Sequence, residues 1–265
     1  MHNKYFPNNE YHTPKFKKRV IWDKLLFGSS LYFNIRFLNF VFHNRKKALN
    51  GQYDTAQWAK SSVDIFKFVE DCGGKFHIEG FNHIDEVKDE PVIFISNHMS
   101  TLETMVFPGL IAPVKETTFV VKDNLIHNKL FGPIMRARNP ITVSRNDSRH
   151  DLIKVMSEGQ QKLNEGTSII IFPQSTRTNE FIPEKFNSLG VKLAQKAGVR
   201  VLPMAIKTDF WANGTLHKDL GHLNRSEPIH IKIGKPIKIK GSGKEEHQQI
   251  VRFIQENLEY WNNNK

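Results

Sequence analysis

The stretch Pro91-Val92-Ile93-Phe94-Ile95-Ser96-Asn97-His98-Met99-Ser100-Thr101-Leu102-Glu103-Thr104 carries a strand, a strand exit and a helix start in immediate succession. Its opening run, Pro91 to Ile95, is apolar without a break and reads as a buried strand. Asn97 and His98 then stand at the strand's exit, where α/β proteins place their chemistry. Ser100 to Glu103 fits S-x-x-E, a capping box with Ser100 as N-cap and Glu103 at the third helical position. Residues five apart on one continuous helix point ~140° away from each other. His98 and Glu103 therefore meet only if the helix starts between them, as the box predicts. A histidine beside a carboxylate is a general base with an orienting partner. Taken alone, the two residues read equally as a loop histidine and a capping glutamate, because short motifs are common by chance.

Working outward, strand and helix patterns alternate from residue 75 onward. Strands are expected at residues 75–80, 118–122, 140–143, 168–172, 200–206, 229–233 and 237–239. Helices are expected at 55–71, 148–164, 186–197 and 245–261, with a segment at 125–136 broken around Gly132-Pro133. The run Ser168 to Phe172 has the β-branched composition of a buried parallel strand. Pro203 inside a strand points to an edge, a bulge or a strand end, since proline donates nothing to the ladder. This alternation predicts an α/β fold with a mixed, mostly parallel central sheet flanked by helices and preceded by an N-terminal amphipathic helical pair.

The chain has 265 residues, enough for a substantial core without cross-links. The single cysteine, Cys72, excludes an intrachain disulfide and points to a reducing compartment. Met1 to Tyr11 has no apolar signal-peptide core, and no window is long and apolar enough for a spanning helix. The net charge is +11, and residues 1–50 hold ten Lys and Arg against two acids. The excess thus belongs to the amino-terminal arm. From Arg19 to His43 the chain is apolar and aromatic, with Trp22, Leu26, Phe33, Phe37 and Phe40 at helical steps. Lys17-Lys18-Arg19 and Arg45-Lys46-Lys47 flank it. Such a segment suits a helix lying in an anionic membrane surface. It equally suits a helix packed on the protein's own core. The partition expected is an irregular basic arm at 1–18, a helical membrane-docking segment at 19–72 and an α/β domain at 73–265.

Three strand exits carry polar side chains: Asn97-His98, Ser144-Arg145 and Gln174-Ser175-Thr176-Arg177. If they share one sheet edge, a histidine base faces two arginines, whose planar forks suit phosphate. Metal binding finds little support, since H-E-x-x-H is absent and His217 with His222 lacks a defined third ligand. No G-x-G-x-x-G follows a strand, and no G-x-S-x-G marks a serine nucleophile.

Asn97-His98-x4-Glu103 resembles the N-H-x4-D block of the glycerolipid acyltransferases. Val143-Ser144-Arg145 is similar to that family's second block, Phe172-Pro173-Gln174-Ser175-Thr176-Arg177-Thr178 to its F-P-E-G-T-R-S block, and Val201 to Ala205 to its proline-containing fourth block. The resemblance spans about residues 75–240. It implies transfer of a fatty acyl group from acyl-CoA or acyl-ACP to a free hydroxyl of 1-acyl-sn-glycerol 3-phosphate or a related lysophospholipid. It also implies His98 as base, Glu103 as its carboxylate, and Arg177, Arg145 and Thr176 on the acceptor's phosphate. Asn97, Gln174, Ser175 and Pro203 are expected to border the substrate and acyl-chain path. No bound cofactor or metal is implied, nor any nucleic-acid partner. The expected place is the cytoplasmic face of the membrane, peripheral or monotopic. The family's aspartate is Glu103 here, its third-block acid is Gln174 and its glycine is Ser175. These departures keep a non-catalytic, membrane-associated lipid binder as the alternative. A nucleic-acid binder rests on charge alone.

Overall fold

The structure is a computed structural model that describes residues 3–26, 29–174, 176–214, 219 and 221–264. Its strands in chain order are β1 (Glu10–His12), β2 (Phe76–Glu79), β3 (Val92–Ser96), β4 (Thr117–Lys122), β5 (Ile141–Val143), β6 (Ser168–Ile171), β7 (Arg200–Lys207), β8 (Ile229–Ile233) and β9 (Ile237–Lys238). The helices are α1 (Ile21–Leu25), α2 (Leu31–Leu49), α3 (Thr55–Asp71), α4 (Phe81–Asp85), α5 (Leu102–Ile111), α6 (Asn124–His127), α7 (Gly132–Arg136), α8 (Ser148–Asn164), α9 (Leu189–Ala197) and α10 (Lys244–Asn263).

The strands form one sheet in the order β1-β2-β8-β7-β3-β6-β4-β5, with β9 added beside β7. Strands β7, β3, β6, β4 and β5 run parallel, so their carboxyl ends share one edge. Antiparallel pairing is confined to β1 with β2 and to β8 and β9 with β7. The mixed, mostly parallel sheet expected from the sequence is therefore present. Every residue of β3 and of β6 is buried, as a parallel sheet covered on both faces requires. Alternate residues feed opposite cores. Phe94, Ile170 and Leu202 pack with α2, α3 and α5, whereas Ile93, Ile95, Ile169 and Val201 pack with α8, α9 and α10.

The helix that follows β3 is fixed by its neighbour α3. Pro108 lies inside α5 and supplies no backbone donor. Beside it, the Ser62 hydroxyl of α3 donates to the Met105 carbonyl at 2.6 Å and accepts the Gly109 N–H at 2.7 Å. The serine thus bridges the helix ladder where the proline disturbs it. Gly109 leaves room for that approach, because a Cβ there would lie 2.9 Å from the Ser62 oxygen. The Asn3 amide donates to the Gly109 and Leu110 carbonyls at 3.0 and 2.9 Å and closes the helix's far end.

Several local expectations change. The arm at 1–18 is not wholly irregular: Glu10–His12 forms β1 against β2. Tyr11 and Thr13 also donate to Glu70 of α3 at 2.7 and 2.6 Å. The amphipathic segment is two helices, and the stripe divides between them. Phe33 and Phe37 are buried in α2, while Trp22 of α1 is 68 % exposed. Helices α2 and α3 share one core with the sheet. Helix α9 starts at Leu189, later than Phe186, because Pro183–Lys185 forms a 3-10 turn before it. In α8, Val155 and Leu163 are buried while Leu152 is exposed. Pro203 is neither at an edge nor at a strand end. It lies inside β7 between β3 and β8, and its carbonyl accepts the Gly234 N–H at 2.8 Å. N–H and C=O of a strand residue point the same way, so the missing donor faces the β9–β8 junction, where the ladder is interrupted anyway.

Ser62→Ala leaves the Gly109 N–H without its partner inside the core. Stability is expected to fall by about 1–3 kcal/mol. Urea denaturation should show a lower midpoint at an unchanged slope.

Candidate active site

Asn97 and His98 leave the carboxyl end of β3 and are held from both sides. The Asn97 side chain donates to the Ile206 carbonyl at 2.8 Å and accepts the Ile206 N–H at 2.9 Å, which ties the loop to β7. On the other flank, the His98 N–H donates to Gln174 Oε1 at 2.7 Å, and Thr178 N–H donates to the His98 carbonyl at 3.1 Å. The loop after β6 therefore grips the backbone of His98 directly.

The carboxylate of Glu103 is fully buried. It accepts from Met99 N–H at 2.7 Å, Ser100 N–H at 2.8 Å, Ser100 Oγ at 2.9 Å and Thr208 Oγ1 at 2.7 Å, and it meets His98 Nδ1 at 2.8 Å. The capping box forms one residue out of register. Helix α5 begins at Leu102 with Thr101 as N-cap, and the Ser100 hydroxyl accepts the Leu102 N–H at 3.0 Å. Glu103 still reaches back to Ser100 N–H, and from the first turn its longer side chain meets the ring. Burial alone would push Glu103 up. The hydrogen bond and charge of His98, with the Thr208 hydroxyl, hold it below the ordinary carboxylate value. An ionised carboxylate only accepts, so Nδ1 carries the proton and Nε2 of the neutral ring keeps its lone pair. The ring stacks on Phe172 with centroids 4.3 Å apart and planes 18° from parallel. Carboxylate and aromatic face together fix its orientation.

His98 lines a cavity of about 410 Å³ along the carboxyl edge of the sheet. Its lining is polar at Arg145, Thr176, Arg177, Lys122 and Asp219 and apolar at Phe119, Val121, Leu125, Phe131 and Met135. Arg145 sits in a left-handed turn at φ 62°, and Asp151 of α8 accepts the N–H groups of Ser144 at 2.8 Å and Arg145 at 2.7 Å. Arg177 Nη1 donates to Asp219 Oδ1 at 2.7 Å and also to Thr101 Oγ1.

The structure thus brings His98, Glu103, Arg145, Thr176 and Arg177 to one place. Asn97, Gln174 and Pro203 do not line the cavity: the first two hold the His98 loop, and Pro203 is buried in the sheet. Ser175 and His217 lie outside the described residues. Among the described residues no group of three or more His, Cys, Asp or Glu is placed to hold a metal ion. Sequence reasoning missed Phe172, Thr208, Thr101 and Asp219 as parts of the site. Phe172 had a signal, since it directly follows β6. Asp219 had none, because its loop carries no motif.

A family model described as Acyltransferase matches residues 75–207, from the start of β2 to the end of β7. The chain belongs to the acyltransferase family. Among its relatives, a 1-acyl-sn-glycerol-3-phosphate acyltransferase of Pseudomonas aeruginosa is 27% identical over 205 residues, covering 77% of this chain and 73% of that protein. A lyso-ornithine lipid O-acyltransferase of the same organism is 27% identical over 184 residues, covering 63% of this chain and 69% of that protein. The crystal structure of the 1-acyl-sn-glycerophosphate acyltransferase PlsC from Thermotoga maritima superposes with a TM-score of 0.63 over 90% of this chain and 91% of that one. At 20% identity that likeness is one of fold. This acyltransferase therefore shares sheet and helix arrangement with a solved relative, and its matched region contains every strand exit that borders the cavity except the loop of Asp219.

The depressed Glu103 carboxyl makes stability depend on pH with a defined sign. Its folded value lies below the ordinary 4.5, so its contribution is present above that pH and lost as pH falls below it. Glu103→Gln removes the titrating group. Wild type should be more stable than the variant near neutrality, and the gap should close on acidification below about 4.5, read from denaturant midpoints across a pH series.

Proposed function

We propose that the protein moves a fatty acyl group from an acyl thioester of coenzyme A or acyl carrier protein to a free hydroxyl of 1-acyl-sn-glycerol 3-phosphate or a related lysophospholipid. The observation that carries this reading is the His98–Glu103 pair, whose histidine lines a cavity bordered by both cationic and apolar side chains. Nε2 of His98 takes the hydroxyl proton as the oxygen attacks the thioester carbonyl. Glu103 holds the tautomer and stabilises the imidazolium, as a triad carboxylate does. When the tetrahedral intermediate collapses, the C–S bond breaks and the proton passes from His98 to the leaving thiolate. Product ester and free thiol result, with His98 neutral again. Arg177, Arg145 and Thr176 are assigned to the acceptor's anionic group, and the apolar lining residues to an acyl chain.

The same reading takes residues 19–72 as the membrane-docking segment of the catalytic unit at 73–265. Ile21, Trp22 and Leu25 of α1 and Ile35, Leu38 and Phe42 of α2 are exposed apolar side chains on helices whose other faces are buried. Lys15, Lys18, Lys24 and Lys46 are exposed beside them. An apolar face rimmed by cations suits the surface of an anionic bilayer. Among the described residues no helix is long and apolar enough to cross a membrane. We place the protein peripherally at the cytoplasmic face.

Purified protein given labelled acyl thioester and a lysolipid panel should acylate at least one lysolipid, and His98→Ala should lower kcat by about 10²–10⁴-fold. Lipid binding without thioester consumption would instead support a non-catalytic lipid binder. Separately, Trp22→Ser with Phe42→Ser should weaken sedimentation with vesicles containing anionic lipid while leaving the thermal midpoint near that of wild type.

A further inference from the structure

The cation best placed for an anionic head group already carries a carboxylate. Arg177 Nη1 lies 2.7 Å from Asp219 Oδ1, and Thr101 Oγ1 donates to that same oxygen at 2.7 Å. The Thr101 hydroxyl also accepts from Arg177, so the three side chains close a triangle in the cavity's lining. Among the described residues lining the cavity, Asp219 is the one acid, and it faces the cavity with Arg177, Arg145 and Lys122. Its side chain is 38 % exposed and that of Arg177 18 %, so an incoming ligand reaches both.

The geometry points to Asp219 as the residue that selects the acceptor's head group, favouring an amine-bearing zwitterionic head over a bare phosphate monoester. This rests on the acyl-transfer reading above. A phosphate monoester carries about −1.5 to −2 charges at neutral pH. Brought onto Arg177, it either displaces Asp219 from Nη1 or takes the other guanidinium donors and sits beside a carboxylate of like charge. That repulsion discriminates against the monoester without any added contact. A head with one negative charge and a neighbouring ammonium meets a different surface. Its anion takes guanidinium donors while its ammonium takes Asp219, so two ion pairs replace one and no carboxylate is left uncompensated. The hydroxyl of Thr101 fixes the oxygen that such an ammonium would approach. The amine can come from a phosphodiester amino lipid or from an amino-acid lipid, and the shared chemistry is the ammonium beside a single negative charge.

The test measures kcat/KM of the full chain with lysophosphatidate, lysophosphatidylethanolamine and a lyso-ornithine lipid bearing the same acyl chain, for wild type, Asp219→Asn and Asp219→Glu. Wild type should favour one or both amine-bearing acceptors about tenfold or more over lysophosphatidate, and the better of the two identifies the source of the amine. Asp219→Asn should bring that ratio close to one, mainly through a lower KM for lysophosphatidate. Asp219→Glu should restore the wild-type ratio. Each ratio is internal to one preparation, so partial loss of folded protein cancels. A wild-type preference for lysophosphatidate, or a ratio unmoved in Asp219→Asn, overturns the inference and leaves acyl transfer standing. Acylation of none of the three overturns both.

Discussion

A buried carboxylate is the constraint around which the active-site end of the sheet is built. Glu103 has no solvent access, and a lone charge removed from water loses several kcal/mol of hydration even after relaxation. It stays ionised because donors converge on it from two sides: His98, Met99 and Ser100 of the loop after β3, and Thr208 just beyond β7. Satisfying one carboxylate therefore fixes where a strand ends, where a helix starts and how a neighbouring strand lies. His98 is one donor among several, which explains why its ring has so little freedom. The residue that orients the His98 ring is also the residue that organises the loop.

The grip on His98 extends outward through its backbone. Gln174 and Thr178, from the loop after β6, bond its N–H and C=O, and Asn97 fastens the preceding residue to β7. The side chains that resemble family blocks thus divide into two kinds. Some border the cavity, as Arg145 and Arg177 do. Others hold the loops that border it, as Asn97 and Gln174 do. Replacing an acid by Gln174 at this position keeps an acceptor oxygen for the His98 N–H, which is all the geometry asks of it. Replacing aspartate by Glu103 is accommodated in a similar way. The carboxylate rises from the second position of α5 and reaches back over the first turn.

Much of this was legible in the chain itself. The buried runs at β3 and β6 are apolar enough to fix their own burial, and α8 begins and ends at Ser148 and Asn164 as its periodicity predicts. The pairing of His98 with Glu103 followed from a capping box, since a helix start between them is what lets them meet. What sequence could not supply lies in contacts distant along the chain. Glu10–His12 becomes a strand because β2 offers it an edge, not through its own composition. Pro203 is tolerated inside the sheet because two short neighbours change over beside it, a feature of topology. The stripe from Trp22 to Phe40 splits because α1 ends at Leu25 and α2 begins at Leu31, so side chains at helical spacing in the sequence differ in burial. Asp219 reaches the site from a loop whose residues announce nothing.

The two functional ends of the site are joined through a single helix turn. Thr101 is the N-cap residue of α5, and its hydroxyl belongs to the Arg177–Asp219 cluster. Glu103, two residues on, belongs to the His98 cluster. The same turn of backbone therefore contacts both clusters, while Arg177 and Asp219 themselves arrive from the chain beyond β6 and β7. That turn is itself anchored at both ends, by the Ser100 hydroxyl at its start and by Ser62 where the helix meets Pro108. A shift of that turn would move the His98 ring and the Arg177 side chain together, because the carboxylate that orients one and the hydroxyl that contacts the other stand two residues apart on the same backbone.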